Sequence, residues 1–267
     1  NMGNALKENG DLNAAIASYK QAIKIKPDYA EAYNNLGIVL GNRGDPSSAI
    51  ENYKYAIKAN PNFAEAYLNM GNSLKDLGEL NAALKSFQKA IEIKPDYVEA
   101  ILNQSLAYLH KGDFKNGWAQ YEWRLKREKR ENISLKSTKP RWHSFKAGNV
   151  LLWAEQGIGD EIMFASVIPD LYANCSKLSV QIDKRLIKLF ERSFPEDIVF
   201  WPSDKIVPET EYDAHIPIGS LPQYYRQSID SFRPTAKGWL NASAKRARSL
   251  REQLLTDGTE TLIGISW

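Results

Sequence analysis

Asparagines recur in the first half of the sequence at a spacing that suits recognition of a peptide backbone. They stand 34 residues apart, at Asn1, Asn35, Asn69 and Asn103. Each amide side chain carries hydrogen-bond donors and an acceptor, so a stacked row of them can pair with an extended peptide of any sequence. The spacing also fits a second interpretation, in which each asparagine caps a helix or bridges neighbouring units through a local hydrogen bond. A weaker second set, one turn later, is interrupted by apolar residues: Asn4, Ile38, Asn72 and Leu106.

A loop in the second half brings polar side chains to the end of an apolar strand. Residues 150 to 171 have the sequence VLLWAEQGIGDEIMFASVIPDL, which predicts a strand, a glycine-containing turn and a helix. Open α/β sheets bind ligands at this place, and Gly157 and Gly159 permit close approach of a ligand to the backbone. Glu155 and Gln156 either contact a bound ligand or face the solvent around the loop.

Asp160 is the candidate catalytic residue of this loop. A carboxylate at a helix N-terminus stays charged and can accept the proton of an attacking hydroxyl group. Aspartate is also a favoured N-cap, so the position alone equally permits a capping role. Ile162 stands where a dinucleotide-binding fingerprint has its third glycine, so NAD is not predicted. His215, at the end of a short strand, is expected to be a hydrogen-bonded structural histidine rather than a base.

Composition argues against several other kinds of site. The 35 basic and 32 acidic residues give a net charge of +3, too balanced to predict binding to nucleic acid. The single cysteine, Cys175, and three histidines provide no spaced cluster for a metal and favour a reducing, cytoplasmic location. The longest apolar stretches, such as VLLWA, fall far short of the roughly 20 residues needed to span a bilayer. Neither a metal site nor a membrane span is expected.

The asparagines belong to a repeat that must position them. Proline closes three units at Pro27, Pro61 and Pro95, and glycine marks the middle of each unit at Gly10, Gly44, Gly78 and Gly112. Within residues 30 to 63, apolar and small residues recur at helical spacing on both sides of Gly44, which predicts two helices. Gly44 suits the left-handed end of the first helix, and Asp45 and Pro46 suit the start of the second. Each unit is therefore predicted to be a helix hairpin.

This pattern resembles the tetratricopeptide repeat. Tyr33, Leu36, Gly37, Leu40, Ala49, Tyr53, Ala56 and Pro61 correspond to Tyr67, Met70, Gly71, Leu74, Ala83, Phe87, Ala90 and Pro95 in the next unit. The resemblance implies an α-solenoid over residues 1–131 with four units, the first truncated and the last degenerate. The repeats look especially like those of the O-GlcNAc transferase type, which implies that the asparagines line a groove and hold a protein or extended peptide.

The last unit departs from the pattern at places that are otherwise apolar, small or proline. These places carry Gln104, Ser105, Gly117, Arg124 and Lys129. Terminal repeats are atypical because one face meets solvent or another domain. The unit is interpreted as a cap or, alternatively, as a decayed repeat.

After the basic run at 124 to 131, interpreted as a solvated helix face, the repeat period disappears and strand-like runs alternate with helical ones. Strands are predicted at 150–154, 178–183, 198–201 and 213–216, and helices near 160–175, 184–194 and 219–226. This alternation is typical of a parallel sheet in an α/β, Rossmann-like domain, assigned to residues 150–260 after a linker at 132–149.

The second half, from PRWHSFKAGN through YDAHIPIGSLP to GISW, resembles the first domain of glycosyltransferases of the GT-B fold, with a heptosyltransferase-like appearance. The resemblance implies that Asp160 acts as base on the acceptor hydroxyl and that a nucleotide sugar is the donor. It also implies that residues 261–267 are the first strand of a missing second domain. The fragment alone is then expected to hold no cofactor and to be inactive.

Together these features predict a cytoplasmic sugar transferase whose repeats hold a protein acceptor. Two alternatives remain open: a non-catalytic protein-interaction scaffold, and a transferase that acts on a lipopolysaccharide-type acceptor. The scaffold predicts partner binding without sugar transfer, and the third interpretation leaves the repeats merely recruiting the enzyme.

Overall fold

The computed structural model describes residues 2–127, 135–143, 148–232 and 239–254. It divides into two compact units at residues 132 and 133, with the short segment Gln227–Ile229 grouped with the first. Asn1, parts of the predicted linker and the predicted strand at 261–267 lie outside the described residues.

The first unit is helical, as predicted from the repeat. Its helices are α1 (Met2–Glu8), α2 (Leu12–Ile25), α3 (Ala30–Asn42), α4 (Pro46–Ala59), α5 (Ala64–Asp76), α6 (Leu80–Ile93), α7 (Val98–His110) and α8 (Phe114–Tyr121), followed by a 3-10 helix over Glu122–Lys126. Consecutive helices pack as hairpins.

Glycine forms the turn inside each hairpin, and a capping aspartate follows it in three of the four. The central glycines have left-handed φ angles between 77° and 83°, as predicted for Gly44. After Gly44, Asp45 caps α4, because its Oδ1 accepts a hydrogen bond of 3.0 Å from the backbone N–H of Ser48. Pro46 occupies the first turn of α4, where no backbone donor is needed.

Close approach of the two helices depends on glycine opposite an aromatic ring. A Cβ atom added to Gly37 would lie 2.6 Å from Cε1 of Tyr53, and one added to Gly71 would lie 2.5 Å from Cε1 of Phe87. Both rings are buried. Glycine at these two positions therefore permits the close packing of the two helices.

The fourth hairpin replaces apolar packing by hydrogen bonds. Gln104 is buried and donates to Oε1 of Gln88, while its own Oε1 accepts from Nε2 of Gln120 at 2.8 Å. Ser105 donates through Oγ to the carbonyl oxygen of Gly117 at 3.0 Å. Gln104 and Ser105 therefore find hydrogen-bond partners within the fourth hairpin and, for Gln104, also on α6 of the third.

The second unit contains a four-stranded parallel sheet. The strands are β1 (Asn149–Trp153), β2 (Lys177–Ile182), β3 (Val199–Pro202) and β4 (Ala214–Pro217), each within one residue of its predicted bounds. Their order is β3-β2-β1-β4. The chain adds β2 and β3 on one side of β1 and then returns to add β4 on the other side. Val150, Leu151 and Leu152 are all buried, which places β1 between two covered faces.

The helices that follow the strands are shorter than predicted. They are α9 (Ile158–Ala165), α10 (Ile168–Tyr172), α11 (Lys184–Glu191), α12 (Pro222–Tyr225) and α13 (Ala244–Leu254), with 3-10 turns at Glu209–Glu211, Ile218–Ser220 and Ile229–Ser231. The single helix predicted at 160–175 is wrong, because Pro169 has no N–H for a helical hydrogen bond and lies instead in the first turn of a separate helix, α10. Pro222 likewise divides the helix predicted at 219–226 into a 3-10 turn and α12.

Part of the predicted linker belongs to the sheet. Arg141 forms a parallel bridge with His215, and the N–H of Trp142 donates to the carbonyl oxygen of His215 at 2.8 Å. Trp142 is buried and packs edge-on against Tyr224. These contacts satisfy backbone groups at the outer edge of β4 that would otherwise remain unpaired.

Candidate functional site

Two of the predicted groove asparagines join neighbouring first helices of the hairpins. Nδ2 of Asn35 in α3 donates to Oδ1 of Asn4 in α1 at 3.3 Å, and Nδ2 of Asn69 in α5 donates to Oδ1 of Asn34 in α3 at 3.0 Å. The side chains of Asn35 and Asn69 are half-buried. Local bridging between units, the second interpretation of the spacing, therefore occurs at both residues.

Asn103 is held differently. Its Nδ2 donates to the carbonyl oxygen of Glu99 in its own helix, α7, at 2.8 Å. The row of asparagines is thus periodic in position but not in its hydrogen bonds. Asn1, the first predicted member, lies outside the described residues.

Asn34 takes part in these hydrogen bonds and was missed by the sequence prediction. It is buried and accepts the hydrogen bond from Asn69, whereas Leu68 and Leu102 occupy the equivalent place in the following units and are also buried. Asparagine in place of the leucine found in the following units is the sequence signal that could have identified Asn34.

A cavity of about 450 Å³ lies beside the asparagines, between α3 and α5. Asn69, Asn72 and Asp76 of α5 line it. Oδ1 of Asn72 is buried and has no hydrogen-bond partner in the described part of the chain. Asn72 therefore carries an unsatisfied acceptor beside this cavity.

The second candidate site is the loop between β1 and α9. Helix α9 begins at Ile158 after Gly157 as N-cap, so Asp160 is the third residue inside the helix and not its cap. The capping role considered for Asp160 is wrong for that reason. Its half-exposed carboxylate lies in the first turn, where the helix dipole favours a negative charge.

The glycines of this loop have space around them. A Cβ atom at Gly159 would meet nothing within 4 Å, and one at Gly157 would meet only Oδ2 of Asp160, at 3.9 Å. Gly157 has a φ of −77°, which other residues also adopt. Packing therefore does not require glycine at these places, whereas close approach of a ligand would.

The acidic residues around Asp160 have structural hydrogen bonds. Glu155 is buried and its Oε1 accepts from Nε2 of Gln156 at 3.3 Å. Glu161 is buried and its Oε2 accepts from the N–H of Asp183 at 2.8 Å, which connects α9 to the end of β2. Burial raises the pKa of Glu161, and the charges of Asp183 and Glu155 add to the increase. The fixed position of Glu161 was not predicted from the sequence.

His215 is held by hydrogen bonds, as expected for a structural histidine. Its Nδ1 accepts from Nε1 of Trp153 at 3.1 Å, and its N–H donates to the carbonyl oxygen of Pro140. Burial lowers the pKa of His215, and the positive charge of Arg141 lowers it further. These features favour a neutral ring that fixes β1 against β4.

Neither a membrane-spanning helix nor a metal-binding cluster is present among the described residues. Within 2–127, 135–143, 148–232 and 239–254, no helix has the length and apolar character needed to cross a membrane. In the same ranges, no three or more histidine, cysteine, aspartate or glutamate side chains are arranged to hold a metal ion.

One curated protein to which the chain is similar is Protein FlbA of Caulobacter vibrioides. The two are 28% identical over 173 residues, which cover 58% of this chain and 29% of the relative. The chain therefore spans less than a third of the length of that relative.

Solved structures also resemble this chain. MamA is 27% identical with a TM-score of 0.46, and the match covers 49% of this chain and 77% of MamA. YrrB, described as a TPR protein with an unusual peptide-binding site, is 21% identical with a TM-score of 0.43, covering 48% of this chain and 66% of YrrB.

Family profiles match the helical repeats directly. The profile described as TPR repeat matches residues 3–44, and the profile described as tetratricopeptide repeat matches residues 30–63 and again 64–97. The two matches of the second profile follow the hairpins α3–α4 and α5–α6, and the match of the first profile spans α1, α2 and α3. Residues 3–97 therefore consist of tetratricopeptide repeats.

Proposed function

We propose that the repeat unit binds an extended segment of another protein along the first helices of its hairpins. The observation that carries the proposal is the alignment of Asn35 and Asn69 on neighbouring helices beside an open cavity. Stacked helix pairs present extended surfaces of this kind to their ligands.

Asn35 and Asn69 keep further hydrogen-bond donors and acceptors besides those used in the bonds between asparagines. Asn35 donates one N–H of Nδ2 to Asn4, and Asn69 donates one to Asn34. Each amide has an Oδ1 acceptor and a second N–H in addition. A peptide backbone supplies both donors and acceptors. Binding therefore requires no disruption of the bridges that position the side chains.

We further propose that the second unit belongs to a sugar-transferring enzyme of the GT-B type with a nucleotide sugar as donor. Two features support this: the β3-β2-β1-β4 order, with its switch between β1 and β4, and the spacious glycine loop at the carboxyl end of β1. In this proposal Asp160 accepts the proton of the acceptor hydroxyl as the new glycosidic bond forms. The acceptor is a protein held by the repeats.

The first experiment tests peptide binding. The 267-residue chain is screened against immobilised peptides of about 12 residues, which span roughly 40 Å when extended. Replacing Asn35, Asn69 and Asn103 together by alanine is expected to weaken binding about 100-fold, since each lost hydrogen bond is worth about 1 kcal/mol. Circular dichroism should show that the helix content is retained.

A matched control uses an asparagine on a second helix. Asn52 of α4 donates to the carbonyl oxygen of Ser48 in its own helix, so Asn52→Ala makes the same chemical change away from the proposed groove. It should leave peptide affinity unchanged. Equal affinity for the triple variant and the wild type would rule out the asparagine row as the peptide site.

A further inference from the structure

The cavity between α3 and α5 has an exposed acidic rim and a buried polar floor. Asp76, at the rim, is exposed, whereas Ser73 and Tyr53 at the floor are 7% and 3% exposed. Burial raises the pKa of Tyr53 to about 12, so its phenol stays neutral. The rim of the cavity therefore carries a negative charge, whereas its floor is neutral.

The polar groups of this cavity favour a ligand that donates hydrogen bonds. Oδ1 of Asn72 is buried without a partner in the described structure. An unpaired buried acceptor is unfavourable, so a donor that pairs with it stabilises the bound state. Asn69 adds a second acceptor, because its recorded bond to Asn34 uses only Nδ2.

The charge of the cavity favours a cation. Asp76 is the only charged residue among those that line it in the described structure. It is also the last residue of α5, where the helix dipole disfavours a carboxylate, so local helix stability does not explain the aspartate. A cationic ligand would compensate this charge.

Apolar surface completes the wall. Ile38 and the ring of Tyr53 line the cavity together with the polar groups. A side chain with an apolar stem and a planar, donor-rich cation matches this combination better than a compact ammonium group does. The cavity volume of about 450 Å³ is ample for one such side chain.

We propose that this cavity is a specificity pocket for an arginine side chain of the bound polypeptide. The guanidinium group donates to the carboxylate of Asp76 and to Oδ1 of Asn72, and the aliphatic stem lies on Ile38 and Tyr53. The proposal rests on the proposed peptide-binding function and adds the class of residue that the groove selects.

The test uses peptide libraries that differ at one place. Three libraries of about 12-residue peptides carry a fixed central arginine, lysine or citrulline, the last being the neutral analogue of arginine. The wild-type chain is expected to bind the arginine library at least about tenfold more tightly than the citrulline library, because charge-assisted hydrogen bonds are the stronger ones.

Two variants locate the preference. Asp76→Asn should abolish the difference between arginine and citrulline, whereas Asp96→Asn, in the exposed turn before α7, should preserve it. Asn72→Leu should weaken arginine binding without lowering stability, because it removes the unpaired acceptor and Leu106 already occupies the equivalent place in the fourth hairpin.

The outcomes separate this inference from the proposed function. Binding of all three libraries with equal affinity, still weakened by the asparagine triple variant, would overturn the arginine pocket and leave the peptide groove in place. Binding of the lysine library as tight as that of the arginine library would also overturn the arginine assignment. Absence of binding to any library would reject the peptide groove itself.

Discussion

Two glycines one turn apart on α3 have different neighbours. A Cβ atom at Gly37 would lie 2.6 Å from Cε1 of Tyr53, whereas one at Gly41 would lie 3.7 Å from its nearest neighbour, Cβ of Ala49. Tyr53 is buried and closely packed, so its ring cannot move aside without disturbing the core. Only Gly41 has space for a methyl group.

Gly37→Ala is therefore expected to lower the free energy of unfolding by about 1 to 3 kcal/mol, the usual cost of overpacking. Gly41→Ala is the matched control in the same helix. It should leave stability unchanged or raise it by up to about 1 kcal/mol, since alanine favours the helix. Urea unfolding followed by circular dichroism measures both. Equal destabilisation by the two variants would contradict the packing argument.

Single residues show what a repeating sequence can and cannot predict. The close-packing role of Gly37 was predictable, because the helix spacing places it on the face that meets the next helix. The hydrogen bond from Asn69 to Asn34 was not, since it depends on the stagger between neighbouring hairpins. The unpaired Oδ1 of Asn72 could not be predicted from the sequence, for the same reason.

At the scale of elements, Glu161 connects the start of α9 to the end of β2. Its buried carboxylate accepts from the N–H of Asp183 at 2.8 Å, and Asp183 in turn caps α11 by accepting from the N–H of Arg185. Burial raises the pKa of Glu161. The connection is therefore formed by a carboxylate that pays a desolvation penalty when charged.

This connection predicts how stability depends on pH. Because the folded-state pKa is raised, the contribution of Glu161 is fully present below the unfolded value of about 4.3 and is lost as pH rises through the folded pKa. Glu161→Gln keeps an acceptor for Asp183 but carries no charge. We expect this variant to unfold at higher urea than the wild type at pH 7 and at the same urea near pH 4.

The control is Glu191→Gln, which changes an exposed glutamate at the end of α11. It should leave stability unaltered at both pH values. If Glu161→Gln were less stable than the wild type at pH 7, the charged carboxylate would be the favourable partner of Asp183, and the desolvation argument would be wrong.

Elements were predictable where their pattern is local. The four strands were located to within one residue, because β-branched and apolar runs are bounded by polar turns. The break at Pro169 was missed, although proline is itself the local signal for it. The pairing of Arg141 and Trp142 with His215 was beyond a local pattern, since it joins residues more than 70 positions apart.

At the scale of the whole molecule, two kinds of sequence pattern produce two compact units with separate candidate sites. The fold of the repeats was predictable from the sequence, because each unit repeats the same packing. In the α/β unit, the sequence predicted only the location of a candidate site, at the carboxyl end of β1. The identity of its ligand depends on side chains whose hydrogen bonds, such as that of Glu161, are set by tertiary packing.

The last prediction concerns catalysis by the longer protein that contains this chain. We expect that protein to release nucleotide from one of a panel of nucleotide sugars when a protein acceptor is added. Asp160→Asn should reduce kcat at least about 100-fold, since an amide keeps the shape but cannot accept a proton. The KM for the acceptor should stay unchanged, because the repeats bind it.

Asp204→Asn is the matched control in the same unit. Asp204 forms an exposed ion pair of 3.7 Å with Lys184, which contributes little to stability, so turnover should be retained. Full activity of Asp160→Asn would remove Asp160 from the mechanism. Peptide binding without nucleotide release from any donor would favour the non-catalytic scaffold. Transfer to lipopolysaccharide but not to protein would show that the repeats recruit the enzyme rather than present its substrate.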